Sequence, residues 1–344
     1  MLWRRLRRSR LGLYVLRRCL ALIPQLLAIS MVTFVLERLL PGDPVTLILG
    51  PMATPEARAT LRAQMHLNRP LYIQYYYYLR DLLHGNLGRS WTTSNTVAQD
   101  LITRFPATFE LITYSLLLAL IVGIGVGVVT ALRPAGWVDR LTRVYGLLAG
   151  ALPDFWLALI FIFFLYYKVR LFPAPLGRLG PYLSPPHRIT GMYTVDSLLT
   201  GNWVDLRSAA AHLALPVITE ALVTAGAIMR MTRSTMLTIL DGDFIRHGRF
   251  SGLPERVIVR YAIRNALPPV VTLIAIIYAY LLGGAVLIEN IFGWGGLGQY
   301  AVQTLEQSDY AALLGFVLVA AAFTLFLYLA VDLLYFAIDP RISY

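Results

Sequence analysis

The chain has 344 residues, of which 57% are hydrophobic and only 14% charged, and its mean hydropathy is +0.62. Soluble chains are about a quarter charged, so this composition excludes an ordinary soluble globular protein and points to bilayer-crossing segments of about 20 apolar residues. The net charge of +11 comes from arginines set between apolar runs, without the basic stripe and interleaved aromatics of a nucleic-acid binder.

Six apolar windows follow one another along the chain, at residues 16–36, 111–132, 144–167, 209–231, 268–288 and 311–337. They predict an all-α polytopic membrane protein with six transmembrane helices. The first window follows Arg4, Arg5, Arg7, Arg8, Arg10, Arg17 and Arg18, a start like that of a secretory signal. No small-x-small cleavage pattern comes after it and the run is long, so a retained helix is expected. Cys19, the only cysteine, lies inside that run and reads as a small hydrophobe.

Residues 37–110 then read as an extended extracytoplasmic segment with short helices at 55–66 and 71–83. The second carries Tyr75, Tyr76, Tyr77 and Tyr78, which suit a membrane interface where the ring is buried and the hydroxyl stays wet. Contact with a cargo is the other reading of the same tyrosines. In the second window Gly123 and Gly127 have GxxxG spacing, a signature of close helix packing, with gating as the alternative. The 171–208 loop contains Pro173, Pro175, Pro181, Pro185 and Pro186 and is expected to form an ordered but irregular external cap. Residues 1–15 are a basic N-terminus, 111–337 a transmembrane core that includes the loop 232–267, and 338–344 a short tail.

Arginine placement sets the direction. The N-terminus carries seven, the loop after the second window adds Arg133, Arg140 and Arg143, and the next same-side loop holds Arg230, Arg233, Arg246, Arg249, Arg256, Arg260 and Arg264. The loop at 290–310 has no Lys or Arg. By the positive-inside rule both termini are then cytoplasmic.

Residues for ATP chemistry are missing from the sequence. A phosphate-binding loop needs a Gly-rich turn followed by Lys and Ser or Thr, and the one lysine, Lys168, sits between Tyr167 and Val169. The five histidines form no ligand-spaced pair, and no GxSxG is present. No catalytic residue, metal ligand or cofactor site is therefore assigned to this chain. Five acidic residues lie in or beside the apolar windows, where charge is costly and often functional. Glu110 and Glu289 stand at window ends, where water is expected to solvate them. Asp154 and Glu220 stand further in, as cargo-path residues or as partners in structural hydrogen bonds.

The most informative stretch is Asp243-Phe-Ile-Arg-His-Gly-Arg-Phe-Ser-Gly252-Leu-Pro, continuing to Arg264-Asn-Ala-Leu-Pro268. Asp243 is placed to cap a short helix. Gly252 can end it in a left-handed conformation, and Pro254 blocks continuation. With Phe244, Ile245 and Phe250 as apolar contacts, such a helix suits docking into another protein. A solvated basic loop that only sets topology is the competing reading.

This stretch resembles the "EAA" loop of binding-protein-dependent ABC permeases of the dipeptide/oligopeptide branch. The match rests on Asp243, Phe244, Ile245, Arg246, Arg249, Gly252, Arg264, Asn265, Ala266 and Pro268, with departures at Gly248, Phe250 and Ser251. Further pieces are similar in the same order. They are Leu40-Pro-Gly-Asp-Pro44, Gly85-Asn-Leu-Gly-Arg-Ser90, Phe105-Pro-Ala-Thr-Phe-Glu-Leu111, Pro153-Asp-Phe155, His212-Leu-Ala-Leu-Pro216, Glu289-Asn-Ile-Phe-Gly-Trp-Gly-Gly-Leu-Gly298 and Asp339-Pro-Arg-Ile-Ser-Tyr344. Gly295 stands where the family usually has Pro. The resemblance implies a multi-pass subunit of a bacterial inner membrane forming half of a peptide-import pore. Its implied partners are a second homologous permease, two cytoplasmic ATPases that hold ATP and magnesium, an extracytoplasmic substrate-binding protein and membrane lipid. Asp243–Gly252 would then carry the ATPase motion to the pore. Nickel, glutathione, a sugar or an antimicrobial peptide are alternative cargoes for the same machine. An ion-coupled secondary transporter is the alternative of another class, although no internal inverted repeat is visible.

Overall fold

A computed structural model describes residues 2–39, 43–50 and 52–338. The motif Leu40-Pro-Gly-Asp-Pro44 falls largely outside the described residues, as do Asp339-Pro-Arg-Ile-Ser-Tyr344, the tail beyond residue 338, and the side chains of Asp332 and of the arginines up to Arg10. In chain order the helices are α1 (Leu2–Leu39), α2 (Pro44–Leu49), α3 (Pro55–Gln64), α4 (Leu71–Leu83), α5 (Val97–Leu132), α6 (Trp137–Ala151) and α7 (Asp154–Phe161). A π-helical stretch, Ile162–Lys168, continues α7. Then come α8 (Tyr193–Thr200), α9 (Trp203–Leu240), α10 (Asp243–Phe250), α11 (Glu255–Ile291), α12 (Leu297–Glu306) and α13 (Tyr310–Ile338). Among the described residues five helices are long and apolar enough to cross a membrane, or six if one bent pair counts as a single span.

That bent pair is α6 with α7 and its π-helical extension, and it replaces the single straight span expected at 144–167. The two parts meet at an angle of 109°. Pro153 is the cause. It disfavours helical backbone at the residue before it, and Leu152 is extended, with φ −89° and ψ 129°. Pro153 itself, at φ −67° and ψ 138°, then starts α7.

The chain divides into two compact units. The first takes the described residues of Met1–Arg104 and Tyr300–Leu329. In it α3 begins where its sequence says it should, with the Thr54 hydroxyl accepting from the Ala57 N–H and Pro55 at the first helical position. Two of the four consecutive tyrosines fasten α4 to α1. Tyr75 and Tyr78 share 3.0 Å hydrogen bonds with Ser30 and Thr33, and both rings pack around Phe34. Tyr72 and Tyr76 point outward. Exposed Leu16, Leu20, Ile23 and Leu27 give α1 a face suited to lipid.

The second unit takes the described residues of Phe105–Gln299 and Ala330–Tyr344. Here α9 lies against α5, α6, α7 and α11. A Cβ at Gly123 would stand 2.8 Å from the Ile228 side chain, and one at Gly127 would stand 2.7 Å from Thr232, so both glycines serve close approach of α5 to α9. Most of the predicted 232–267 loop is helix, because α9 runs on to Leu240 and α11 begins at Glu255. Arg233 of α9 holds Asp139 of α6 at 2.6 Å, and Asp139 also accepts from the Ala135 N–H at 3.1 Å. This ties the turn before α6 to the long helix.

Candidate functional site

α10 is a short helix with a complete stop signal. Gly252 is left-handed at φ +77°. Its N–H donates to the Arg249 carbonyl at 3.0 Å, and the Leu253 N–H donates to the Gly248 carbonyl at 3.1 Å. That pair of bonds is a Schellman C-terminus. A Cβ on Gly248 would lie 3.3 Å from Leu253 Cδ1, so the departure from alanine leaves room for Leu253 to fold back over the helix end. The start differs from expectation. Gly242, not Asp243, is the N-cap, and no side chain caps the helix. Asp243 occupies the first helical position with its carboxylate in solvent, near the positive end of the helix dipole and 3.9 Å from Arg246 Nη1.

The apolar residues of α10 separate into an anchor and a display. Ile245 is 2% exposed and fixes the helix to the unit, whereas Phe244 is 65% and Phe250 90% exposed. Phe244 makes one edge contact with Tyr261, with ring centroids 6.0 Å apart. Arg246, His247 and Arg249 are exposed on the same short helix as the phenylalanines, and Arg249 pairs with Glu255 at 2.9 Å. Exposed aromatics with polar neighbours are the arrangement of a protein-binding hot spot.

A cavity of about 530 Å³ opens beside the break at Pro153. Asp154, Thr224, Arg230, Tyr280, Gly283 and Gly284 are on its wall. Asp154 is half-buried, and Arg230 Nη1 donates to the Gly146 carbonyl. The other acidic residue expected here, Glu220, is 1% exposed, does not line the cavity, and faces the buried Ser115 hydroxyl without a well-formed hydrogen bond among the described residues. Sequence patterns do not mark Tyr280 or Thr224 for this place. Only Arg230 carries a signal, as a cation at the end of an apolar window.

Glu110 and Glu289 depart from expectation, since neither faces water. Glu110 accepts from Arg178 Nη2 at 2.6 Å, the Thr194 N–H at 2.8 Å and the Thr194 hydroxyl at 2.6 Å. Glu289 accepts from the Thr108 hydroxyl at 2.5 Å and from the Gly298 and Gln299 N–H groups at 2.7 and 3.0 Å. Each carboxylate therefore organises an irregular segment, the proline-rich cap in one case and the Gly-rich turn before α12 in the other. Arg178 also lies over the Tyr193 ring, 3.5 Å from its centroid.

The cap has a second acidic clamp outside the spans. Asp196 accepts from the Thr190 N–H at 2.7 Å, the Thr190 hydroxyl at 2.6 Å and the Gly191 N–H at 2.9 Å. Burial alone would raise its carboxyl, but the bonds from Thr190, Gly191 and Ile189 outweigh that and hold it below the ordinary 3.8. The stabilisation is complete above the unfolded-state value and is lost as pH falls through the lowered folded value. Amide exchange at Gly191 is expected to stay protected at neutral pH and to speed up, beyond its intrinsic pH dependence, only below pH 3.8. Loss of protection already at about pH 6 would remove this assignment.

These features define a class: a multi-pass helical membrane protein with a short helix bearing exposed aromatics and a charged cavity beside a broken span. The chain belongs to the family of inner-membrane components of binding-protein-dependent transport systems, whose profile matches residues 123–344. A second profile, for the N-terminal part of such membrane components, matches residues 12–112. The chain is 41% identical over 328 residues to the probable D,D-dipeptide transport system permease protein of Escherichia coli (strain K12), covering 95% of this chain and 96% of the relative. It is 37% identical over 332 residues to the dipeptide transport system permease protein of Alkalihalophilus pseudofirmus, covering 96% and 99%. The glutathione transport system permease protein of Salmonella typhimurium is 32% identical over 332 residues, with 96% and 99% covered. The chain is thus a permease subunit of an ABC transport system.

Proposed function

We propose that this permease imports dipeptides or short oligopeptides across a bacterial plasma membrane, forming half of a pore completed by a second homologous permease. Two cytoplasmic ATPases hold ATP and magnesium, and an extracytoplasmic binding protein delivers the cargo. Arginine placement orients both termini, and with them α10, toward the cytoplasm. The single observation that carries the coupling part of this reading is the exposure of Phe244 and Phe250 on a helix anchored by Ile245. Asp243, Phe244, Ile245, Arg246, Gly248, Arg249, Phe250 and Gly252 form the unit that follows the ATPases, with Gly252 and Gly248 shaping its end. Binding ATP in the partners would shift a two-state pore through this contact. Of the two acidic residues expected on the cargo path, Asp154 stands on the cavity wall. Glu220 sits in the core behind it and supports the path without touching cargo. The dipeptide cargo follows the names of the relatives; glutathione, named for one relative at 32% identity, is the competing cargo.

The test is to tag the chain, extract it gently from native membranes, and identify what co-purifies while measuring uptake of a labelled dipeptide. A homologous permease with two P-loop ATPases, and uptake that glutathione does not compete away, is the expected result. A lone chain or homodimer with proton- or sodium-driven uptake would replace this reading with a secondary transporter.

A further inference from the structure

The cavity beside Pro153 presents both signs of charge, and nothing in the coupling role uses them. Asp154 is half-buried beside a broken apolar span, yet among the described residues no Lys, Arg or His pairs with it. The start of α7 favours an anion there, but a carboxylate facing a low-dielectric cavity still leaves a strong field at its open side. Arg230, on the same wall, is fixed by one Nη1 bond to the Gly146 carbonyl. A guanidinium carries five N–H donors, so most of its donors remain for a ligand. Thr224 and Tyr280 add hydroxyls to the same wall.

The glycines decide what can reach the carboxylate. A Cβ at Gly284 would lie 3.5 Å from Asp154 Oδ2 and 3.7 Å from Tyr280 Cε1, and one at Gly283 would meet nothing within 4 Å. The wall is therefore flat beside Asp154, and a larger side chain at 284 would cover it. The remaining lining, including Phe155, Ile277 and Leu287, is apolar and makes no demand on side-chain chemistry. A volume of about 530 Å³ lies within the range of small-ligand sites.

We propose that this cavity is a half-site for the termini of a zwitterionic peptide, with Asp154 receiving the α-ammonium group and Arg230 the α-carboxylate. The proposal rests on the peptide-importer reading and deepens it. A simple cation would be opposed by Arg230, a simple anion by Asp154, and a neutral sugar would leave both charges unanswered. Tolerance of many side chains follows, because the polar contacts address groups common to every short peptide.

The test uses the complete transporter with its native partners in proteoliposomes, at saturating binding protein. Uptake of a free dipeptide is compared with that of its N-acetylated and C-amidated forms, for the wild type, Asp154→Asn, Asp154→Glu, Arg230→Gln and Gly284→Leu. Because the binding protein is the same throughout, any change in preference belongs to the permease. Asp154→Asn is expected to reduce the preference for the free over the N-acetylated peptide about tenfold, and Asp154→Glu to restore most of it. Arg230→Gln should do the same for the free against the amidated peptide. Gly284→Leu keeps both charges and is expected to match Asp154→Asn, so it decides between the outcomes even if Asp154→Asn fails to assemble. Unchanged preferences in active variants would overturn the half-site while leaving the importer intact. A wild-type complex that takes up no dipeptide would overturn the importer reading and the half-site together.

Discussion

Phe250→Asp is expected to abolish co-purification of the ATPase subunits and ATP-driven uptake, while the unfolding of the chain itself shifts by less than about 0.5 kcal/mol. The two halves of this result have separate physical causes. Phe250 is 90% exposed, so its removal takes little from the core. An exposed aromatic ring on a helix that also carries Arg246, His247 and Arg249 is free to fill a pocket on a partner, and truncating such an anchor typically costs about 2 kcal/mol or more of binding. Replacing it by a carboxylate adds the cost of burying an unpaired charge. Ile245→Asp should behave differently, because Ile245 is buried and the whole of α10 would come loose from the unit. A bulky residue at Gly252 should act between these extremes, straining the left-handed turn at φ +77° and re-aiming the helix end. Thermal unfolding of the purified chain alongside quantified ATPase recovery separates the cases. Full ATPase recovery and transport by Phe250→Asp would falsify the docking role of α10.

Glu289→Ala is expected to be the most damaging single change to the fold. Its two oxygens accept from Thr108, Gly298 and Gln299, and the residue is wholly buried. Each donor left without an acceptor costs about 1–3 kcal/mol, so the sum rivals the net stability of a domain. Water cannot readily take over, because the turn is closed around the carboxylate. A Cβ on Gly296 would lie 2.5 Å from both of its oxygens, and one on Gly298 would lie 2.5 Å from Val286 Cα. Trp294 seals the same place by donating from Nε1 to the Ala107 carbonyl at 2.9 Å. Glu289→Gln should be tolerated better than Glu289→Ala, since its amide oxygen can still accept from the Gly298 and Gln299 N–H groups while its NH2 faces the Thr108 hydroxyl, which can turn to accept. Yield of monodisperse protein and the midpoint of thermal unfolding measure this. Wild-type values for Glu289→Ala would show that the network carries no stability.

Hydropathy and punctuation were sufficient for much of this architecture. The apolar windows became the long helices, because crossing a bilayer requires a length and an apolar character that are both written locally. The end of α10 was legible for the same reason: Gly252 and Pro254 impose their backbone preferences wherever they occur. Pro153 carried the same kind of signal, yet the window at 144–167 reads as one span because an average over apolar residues is blind to a single missing N–H. The sequence alone therefore determined an all-α membrane protein, the order of its apolar segments and the place of the short helix α10.

Only the tertiary structure decided which charges are free. Glu110 and Glu289 look like solvated ends of apolar runs, but their donors come from 68 residues away in Arg178 and 181 residues away in Thr108. No local pattern announces such a pairing. Phe244, Ile245 and Phe250 are equally apolar on paper, and packing alone separates the anchor from the two exposed rings. Asp154 and Glu220 are likewise indistinguishable by hydropathy, yet one opens on a cavity shared with Arg230 and Tyr280 and the other is sealed in the core. Burial and pairing depend on three-dimensional neighbours brought together by α5, α7, α9 and α11, whereas helix formation and membrane crossing depend on residues a few positions apart.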